Sequence, residues 1–425
     1  MGDQVQNGNV DIGKIDLTKR SSSGSVIKQI SLAAIATRIN IYEDITCPLL
    51  YAEIDVVDGN DIQTTFPIIG EESIEVQFKT TGNANFVTYN FSVYQVVNTV
   101  TNEAGKLKHY TIKCCSQEYL PNDHIQVNRK FTDETFNIIE KLITDDHKNG
   151  GLGSKKKYNI EPTKGTQDVL VSKQSPLQTI DLFRHRAVSK KYISNSFCFF
   201  ENRRGFNFCT VEFLFDEGKK HIQDKVFWYD PKPQTDNKAV NFRNIIAMKN
   251  ISDFNTSQKS AGGALRNNIR KFDLHTGEVT DIEFKLSEKL DQFNFPSAKS
   301  VGTNTSEFAQ QFEKLSEFNM LVPHRGDLPD TFIADSLGAK QSFIHAIVQN
   351  LYQIHTYGDS ELTAGDVITV NIPESTGLTK AEKKANRLKS GNYLISKIRH
   401  IIVNDKQRMY TNSMELIKGS YEDNS

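Results

Sequence analysis

Apolar and polar residues alternate over most of the first quarter of the chain. The alternation is clearest in four runs, within residues 50–56, 74–78, 87–93 and 110–114. A period of two is typical of half-buried antiparallel strands. Turn-forming sequences separate the runs at Asp58-Gly59-Asn60, at Thr81-Gly82-Asn83 and at residues 102–105. Residues 26–116 are therefore predicted to form a small β-sandwich or barrel.

The first 25 residues are rich in Gly, Asn, Asp and Ser, so we expect residues 1–25 to form a flexible arm. Residues 1–20 contain no apolar core of a secretory signal, and charges break every apolar stretch before the ~20 residues of a membrane span. We therefore expect a protein that is made in a cytosol.

The hydrophobic period lengthens after Phe131. Four apolar residues share one helical face and predict a helix of about 15 residues that begins near Asp133 and Glu134: Phe136, Ile139, Leu142 and Ile143. Ser175 as N-cap and Pro176 at the first helical position predict a second helix. An aromatic hairpin follows, with strands at 197–200 and 206–214. Residues 117–235 are therefore predicted to form a mixed α/β domain.

Residues 236–339 show no clear period, and we expect an irregular mixed segment there. One hairpin is predicted near His275-Thr276-Gly277, and an irregular Pro-containing region at 295–329. After Gly338 a helical run leads into strands predicted at 351–357, 366–372, 393–403 and 408–417. The connection 374–390 is rich in Lys and Arg and is predicted to be a charged helical insertion. Residues 340–425 thus form a second predicted β unit.

Composition narrows the class of protein. The 51 Lys and Arg residues balance 52 Asp and Glu residues, so the chain lacks the basic surface of a dedicated nucleic-acid binder. Aromatic residues reach 10%, which favours a folded, β-rich chain over disorder. The five cysteines form neither a disulfide framework nor a Cys-x-x-Cys zinc pair and fit a reducing compartment. The predicted fold class is α+β, mainly β.

Three groups of residues could carry chemistry, and none favours a site. Asp145, Asp146 and His147 could form an acid/base or metal group, but a solvated helix end is the preferred interpretation. His345 and His355 straddle a predicted helix-to-strand junction and share no fixed ligand geometry. The glycine-rich run 150–155 lacks the spacing of a phosphate-binding loop. We therefore predict no catalytic, cofactor-binding or metal-ligating residues.

Two further patches allow alternative interpretations. The basic residues Arg184, Arg186, Lys190 and Lys191 could contact phosphates or an acidic partner protein, although a solvated helix end is preferred. Five hairpin phenylalanines could stack on bases, although packing in the core is preferred: Phe197, Phe199, Phe200, Phe206 and Phe208.

The order of these pieces resembles the baseplate hub proteins of contractile-tail phages of the T-even myovirus type, which are related to the hub part of type VI secretion spike proteins. The sequences that carry the resemblance are Ile41-Tyr42-Glu43-Asp44-Ile45, residues 54–59, residues 67–72, Ser175-Pro176-Leu177, residues 199–208, residues 362–368 and residues 391–400. They cover about two thirds of the chain in order.

This resemblance implies two tube-like antiparallel β-barrel domains in each chain of a homotrimer, with the mixed α/β middle between them. Such a hub is a structural adaptor that joins a hexameric tail tube to a trimeric central spike in the virion baseplate, assembled in the host cytoplasm. The implied partners are the spike, a tail tube or tube-initiator protein and other baseplate proteins, and the genome passes through the channel without sequence-specific binding. The chain has no repetitive β-helix, so the spike is expected to be a separate protein.

A carbohydrate-binding or hydrolytic tail protein is the alternative function. Its sign would be carboxylates that converge in an aromatic-lined cleft. For the hub we expect no enzyme activity, no cofactor, and two β units that superpose on each other.

Overall fold

The computed structural model describes residues 8–21, 24–70, 72–102, 107–220, 225–229, 242–252, 262–289, 292–294, 318–324, 330–347, 351–374, 386, 389–406 and 408–418. Within these residues no helix has the length and apolar character needed to cross a membrane. Most of the predicted charged insertion at 374–390 and most of the Pro-containing region at 295–329 lie outside the described residues.

Seven antiparallel strands and one short helix form the N-terminal β unit. They are β1 (Val10–Arg20), β2 (Val26–Ser31), β3 (Ala36–Asp44), β4 (Tyr51–Asp58), α1 (Ile62–Thr65), β5 (Glu72–Thr80), β6 (Val87–Thr101) and β7 (Lys108–Ser116). Their order in the sheet is β2-β1-β5-β6-β7-β4-β3. Burial alternates strictly along β4 and β5, as the period of two predicts.

The expectation of a flexible arm over residues 1–25 is wrong for residues 10–20. These residues form β1, which pairs along β5 and buries Ile15 and Leu17 completely. A bulge at Gly13 shifts the register, and the ring of Phe86 lies 3.1 Å from where a Cβ of Gly13 would stand. The bulge breaks the alternation of apolar residues, which hides the strand from a period-two pattern.

Helices and short strands alternate in the middle of the chain. They are α2 (Tyr119–His124), β8 (Val127–Glu134), α3 (Thr135–Thr144), a 3-10 turn (His147–Asn149), β9 (Tyr158–Ile160), β10 (Thr163–Lys164), β11 (Thr166–Gln174), α4 (Pro176–Arg186), β12 (Val188–Ser189), β13 (Phe197–Asn202), β14 (Gly205–Thr210) and α5 (Val211–Lys219).

The predicted second helix is confirmed, and its first turn shows why the sequence signal is strong. The Ser175 hydroxyl accepts the Gln178 N–H, and the Gln178 side chain accepts the Ser175 N–H in return. The first predicted helix is shorter than expected, 10 residues, because Asp133 and Glu134 belong to β8. The hairpin is confirmed too, but its second strand ends at Thr210, whose hydroxyl caps α5.

The final part of the chain contains β15 (Val226–Trp228), β16 (Ile245–Ser252), β17 (Arg266–Asp273), β18 (Val279–Lys285), α6 (Leu286–Lys289), β19 (Phe318–His324), α7 (Ile333–Ile347), β20 (Leu351–Tyr357), β21 (Val367–Asn371), β22 (Gly391–Val403) and β23 (Met409–Ile417). The four strands predicted after residue 350 are confirmed.

Residues 236–339 are more regular than the sequence indicates. Strand β16 pairs with β20, and β17, β18 and β19 form a separate three-stranded sheet around the predicted hairpin turn. Helix α7 begins at Ile333, five positions before Gly338, after which the helical run was predicted. The expectation of an irregular segment is therefore wrong for the described residues. Strands β16 and β19 were missed because they pair with strands that lie far away in the sequence.

The two halves of the main sheet repeat one strand order. The N-terminal half runs β1-β5-β6-β7-β4-β3, and the C-terminal half runs β15-β21-β22-β23-β20-β16. If β2 is left out and the six strands of each half are numbered one to six in chain order, both halves have the same spatial order. That order is 1-4-5-6-3-2. The halves differ at one pair, because β15 and β21 are parallel whereas β1 and β5 are antiparallel.

Bulges also recur at corresponding places. Strand β3 shifts register against β4 between Ala36 and Arg38, and β16 shifts against β20 between Ile245 and Ala247. Strand β6 shifts against β7 just after Val93, and β22 shifts against β23 just after Ile395. An internal duplication requires this correspondence, and the superposition of the two units stays a prediction.

Three apolar cores match the two β units and the mixed middle. The N-terminal core consists mainly of residues from β1 to β7. The middle core packs α3 and α4 against β8 and the aromatic hairpin. The C-terminal core combines β20 to β23 with α5, α7 and one face of that hairpin. The boundaries of the predicted domains themselves stay a prediction.

Candidate assembly interface

Strands β3 and β22 join the two halves of the main sheet. They pair antiparallel from Asp44 opposite Lys397 to Arg38 opposite Val403. The first part of β22 pairs with β21, so only its second part is available to β3. The two β units are therefore held together by a ladder of main-chain hydrogen bonds.

Glu43 lies at the centre of this junction and is 1% exposed. Its carboxylate accepts hydrogen bonds from the Tyr89 hydroxyl at 3.0 Å, the Ala364 N–H at 2.8 Å and the Arg203 N–H at 3.2 Å. The Thr363 hydroxyl donates a further bond. These donors come from β6, from the turn of the aromatic hairpin and from the loop before β21. One carboxylate therefore ties both β units and the middle domain together.

Burial dominates the electrostatics of the junction. Burial raises the pKa of Glu43, although the hydrogen bonds that it accepts favour the carboxylate. The Nε2 atom of His400 lies 4.0 Å from Oε1 of Glu43, and its Nδ1 atom lies 2.6 Å from the Tyr410 hydroxyl. Burial lowers the pKa of His400 to about 3, and the charge of Arg203 acts in the same direction. His400 is therefore neutral at neutral pH.

Strand β16 forms one end of the main sheet. It pairs with β20 on one side, and no described residue pairs with its other side. Ile246 is 45% exposed and Ile251 is 46% exposed. Natural proteins usually protect such edges with charges, proline or a covering element, because an open edge invites another strand. This strand has only Lys249 as a charged residue, but Asn250 and Ser252 have further contacts, so the strand is not a free edge along its whole length.

Strand β6 has a second open edge. Its residues 87–92 pair with β5, but residues 93–101 extend beyond β5 and pair only with β7 among the described residues. Val100 is 62% exposed, and Tyr94 is 36% exposed. Strand β2 is a third open edge, since it pairs only with β1 in the described part of the chain and exposes Val26 and Ile27.

The basic residues at and after the end of α4 are mostly neutralised by neighbouring carboxylates. Arg184 pairs with Asp181 at 2.6 Å, Lys190 with Glu134 at 2.9 Å and Lys191 with Asp216 at 2.8 Å. Arg186 has no carboxylate partner among the described residues, and burial lowers the pKa of its guanidinium. The four side chains therefore do not form one free cationic surface.

The side chains of Asp145, Asp146 and His147 at the end of α3 do not meet at one site. Asp145 pairs with Arg129 at 3.3 Å, while Asp146 and His147 are exposed. Nδ1 of His147 lies 3.2 Å from the carbonyl oxygen of Gly151. His345 and His355 lie on different elements, α7 and β20. The glycine-rich run folds back on α3, where the Leu152 N–H donates to the Leu142 carbonyl.

The aromatic hairpin is part of the core, as preferred from the sequence. Phe197 stacks on Phe208 at 4.9 Å and Phe199 on Phe206 at 5.5 Å in the middle core, whereas Phe200 belongs to the C-terminal core. Both faces of the hairpin are therefore buried, and its phenylalanine rings are not available to stack on bases.

Two of the described cavities each contain a carboxylate that is paired with a basic residue. A cavity of about 570 Å³ contains Asp366, which accepts hydrogen bonds from Arg204 at 2.8 Å and from Lys225 at 2.7 Å. A second cavity, of about 350 Å³, contains Asp168, which pairs with Lys130 at 2.7 Å. Among the described residues no three His, Cys, Asp or Glu side chains are grouped closely enough to hold a metal ion.

Sequence reasoning missed the Glu43 junction, although a signal for it was present. In β3, Ile39 and Ile41 occupy core-facing positions, and Glu43 continues the same parity. In β22, His400 lies between the core residues Ile398 and Ile402 in the same way. An ionisable residue at a core-facing position of a strand marks a buried polar contact.

Comparisons with known proteins identify the fold. No family model and no curated protein sequence matches the chain. Among solved structures, a tail protein from Neisseria meningitidis MC58 aligns with 96% of this chain and 97% of its own, at a TM-score of 0.56 and 10% identity. The 43 kDa tail protein of prophage MuSo2 from Shewanella oneidensis aligns with 96% of this chain and 98% of its own, at a TM-score of 0.56 and 12% identity.

A similar match comes from a secretion apparatus. A chain in the half-lidded Francisella PdpA-VgrG complex aligns with all of this chain and 61% of its own, at a TM-score of 0.51 and 10% identity. The protein thus has the mainly β fold of phage tail proteins, a fold that is also found in a VgrG complex. The resemblance noted in the sequence is confirmed at the level of the fold.

Proposed function

We propose that this protein is the structural baseplate hub of a contractile phage tail. In this role three copies form a ring that joins the hexameric tail tube to a trimeric central spike, and the genome passes through the channel of the ring. The observation that carries the proposal is the repeated strand order of the two β units. A trimer of chains with two similar units each presents six units, which suits a sixfold tube on one face and a threefold spike on the other.

The fold shared with two tail proteins and with a chain of a PdpA-VgrG complex supports the same role. It suggests partners of two kinds, a spike-like protein and a tube or tube-initiator protein, in a virion tail baseplate assembled in the host cytoplasm. The open edge at residues 93–101 of β6 offers surface for contacts between copies.

We propose no catalytic activity for this chain. The hydrolytic alternative needs two carboxylates in one cleft, and neither of the two cavities above contains two carboxylates without basic partners. No feature of the described residues favours carbohydrate binding over the adaptor role.

Electron microscopy of the purified full chain tests the proposal. End-on class averages are expected to show a closed ring with a central channel and threefold symmetry, and with six similar densities around it. Addition of the cognate spike protein should place a density on the axis at one face only. Particles without a ring, with spike present and at the highest attainable concentration, would overturn the hub function.

A further inference from the structure

The cavity of about 350 Å³ lies between the middle domain and the three-stranded sheet. Its walls come from β11, from the last residue of α4, from β17 and β19, and from the start of α7. The two sides approach closely beside it, because the carbonyl oxygen of Thr331 lies 2.8 Å from where a Cβ of Gly165 would stand. Gly165 also has a positive φ of 83°. The cavity therefore lies where two separately built sheets meet.

Gln167 is the most unusual residue of this cavity. It lines the cavity and is completely buried, and neither Oε1 nor Nε2 of its carboxamide has a hydrogen-bond partner among the described residues. Val169 and Val171 occupy the same parity of β11 and pack in the middle core. An apolar residue would thus suit position 167, because a buried amide without partners costs folding free energy. This cost is explained if a ligand supplies the partners.

The cavity also has an excess of positive charge. Arg186 and Lys271 line it, and neither has a carboxylate partner among the described residues. Asp168 is already paired with Lys130 at 2.7 Å. Two cations therefore face the single remaining carboxylate of the cavity wall, that of Asp330.

These groups define the chemistry of a ligand. The carboxamide of Gln167 offers a donor and an acceptor side by side. A residue of an extended peptide presents its own N–H and C=O on one side of the chain, so it can satisfy both atoms together. Arg186 and Lys271 favour a carboxylate on the same ligand. Apolar surface beside these polar groups, which is usual in ligand sites, comes from Leu274, Val322 and Pro323.

We propose that this cavity binds an extended peptide segment of a partner protein, with its main chain on Gln167 and an acidic side chain near Arg186 and Lys271. The cavity is at the small end of the range of ligand sites, about 300–1,000 Å³, so the partner contributes a few residues and not a folded domain. The site belongs to the single chain and does not depend on the ring of the proposed function.

Saturation-transfer NMR with the full chain tests the site. The probe is the peptide acetyl-Ala-Glu-Ala-amide, and its matched control is acetyl-Ala-Gln-Ala-amide, which has a similar shape and no charge. The glutamate peptide is expected to bind with a Kd of about 1 mM or tighter, and about tenfold more tightly than the glutamine peptide. Equal affinities, or no transfer to the glutamate peptide, would overturn the inference.

Single variants locate the bound peptide. Gln167→Met keeps the length of the side chain without its amide and is expected to weaken binding of the glutamate peptide about tenfold. Arg186→Gln should bring the affinities of the two peptides together. Arg270→Gln is the control, since Arg270 is next to Lys271 but pairs outside the cavity with Asp281, and it should leave binding unchanged. Binding that both Gln167→Met and Arg186→Gln leave unchanged would overturn the proposed site.

Urea denaturation without peptide gives a second readout. If the amide of Gln167 has its partners only in a ligand, Gln167→Met removes an unpaired buried polar group. The variant should then unfold at the same urea concentration as the wild type or at a higher one. A clearly lower midpoint would show that the amide stabilises the folded chain by itself, and it would overturn the assignment of Gln167 to a ligand.

Discussion

The two β units share a strand order but differ in how the chain builds them. The N-terminal unit uses strands that follow one another between residues 10 and 116. Among the described residues, its core contains only two buried residues from the other unit, Ile402 and Tyr410. The C-terminal unit consists of β15 and β16, which precede the three-stranded sheet in the sequence, and of β20 to β23, which follow α7. Its core also contains residues of α5, of α7 and of the aromatic hairpin β13–β14.

This difference shows that one strand arrangement can be built from nearby or from distant segments. Neighbouring strands close short loops, whereas the pairing of β16 with β20 must bring together segments about 100 residues apart in sequence. We therefore expect the C-terminal unit to depend on the middle domain and on the junction with the N-terminal unit.

The largest expected effect concerns the Glu43 junction. Glu43→Ala leaves four donors without their acceptor in a buried site, so we expect a loss of about 3–5 kcal/mol in the free energy of unfolding. Urea denaturation measures this loss. Glu53→Ala is the control, because the Glu53 side chain is 37% exposed and its partners Tyr42 and Lys113 are only partly buried, so its loss should stay within about 1 kcal/mol.

Separate unfolding transitions for the two units in the wild type, unchanged by Glu43→Ala, would contradict the dependence of the C-terminal unit on this junction.

A smaller change in the free energy of unfolding should follow from lowering the pH. The pKa of His400 is lowered to about 3 in the folded state, so the unfolded chain binds more protons below pH 6.5 and stability falls as the pH falls. Between pH 7.5 and 5.5 this group alone should cost about 1.4 kcal/mol. The raised pKa of Glu43 acts in the opposite sense at lower pH, because the folded state then takes up that proton first.

The measurement is the unfolding free energy of the wild type and of His400→Gln at both pH values. The wild type should lose about 1.4 kcal/mol more than the variant on acidification. Equal losses in the two proteins would show that His400 does not make the junction sensitive to acid.

The smallest effect is expected outside both β units. Asp146→Ala should change the unfolding free energy by no more than about 0.5 kcal/mol and leave assembly intact, because the side chain is solvated at the end of α3. Asp145→Ala removes the partner of Arg129 and should cost more. Particles that assemble with Asp146→Ala but cannot infect would indicate a functional site at this helix end.

The N-terminal unit was largely predictable from sequence, and the contrast with the C-terminal unit explains why. Alternation and turn residues act locally, so β4 to β7 could be recognised, and the capping box at Ser175 fixed the start of α4. Strand β1 was missed because the bulge at Gly13 interrupts the period. The place of β16 in the sheet could not be predicted, since it depends on a partner about 100 residues later.

The sequence predicted that the candidate interface would contain open strand edges, but it did not show which strands form them. Open strand edges were expected from two β units, but which edges stay unpaired depends on the β3–β22 link, which no local pattern encodes. The polar junction was partly visible in the sequence, because Glu43 and His400 occupy core-facing positions in the alternation of their strands. Their hydrogen-bond partners come from distant parts of the sequence and required the structure.

Sedimentation velocity of the full chain, alone and with its spike protein, tests the central claim most directly. The hub account predicts a species of three times the 48.1 kDa chain mass. A stable single-chain mass at the highest attainable concentration, with spike protein present, would contradict it.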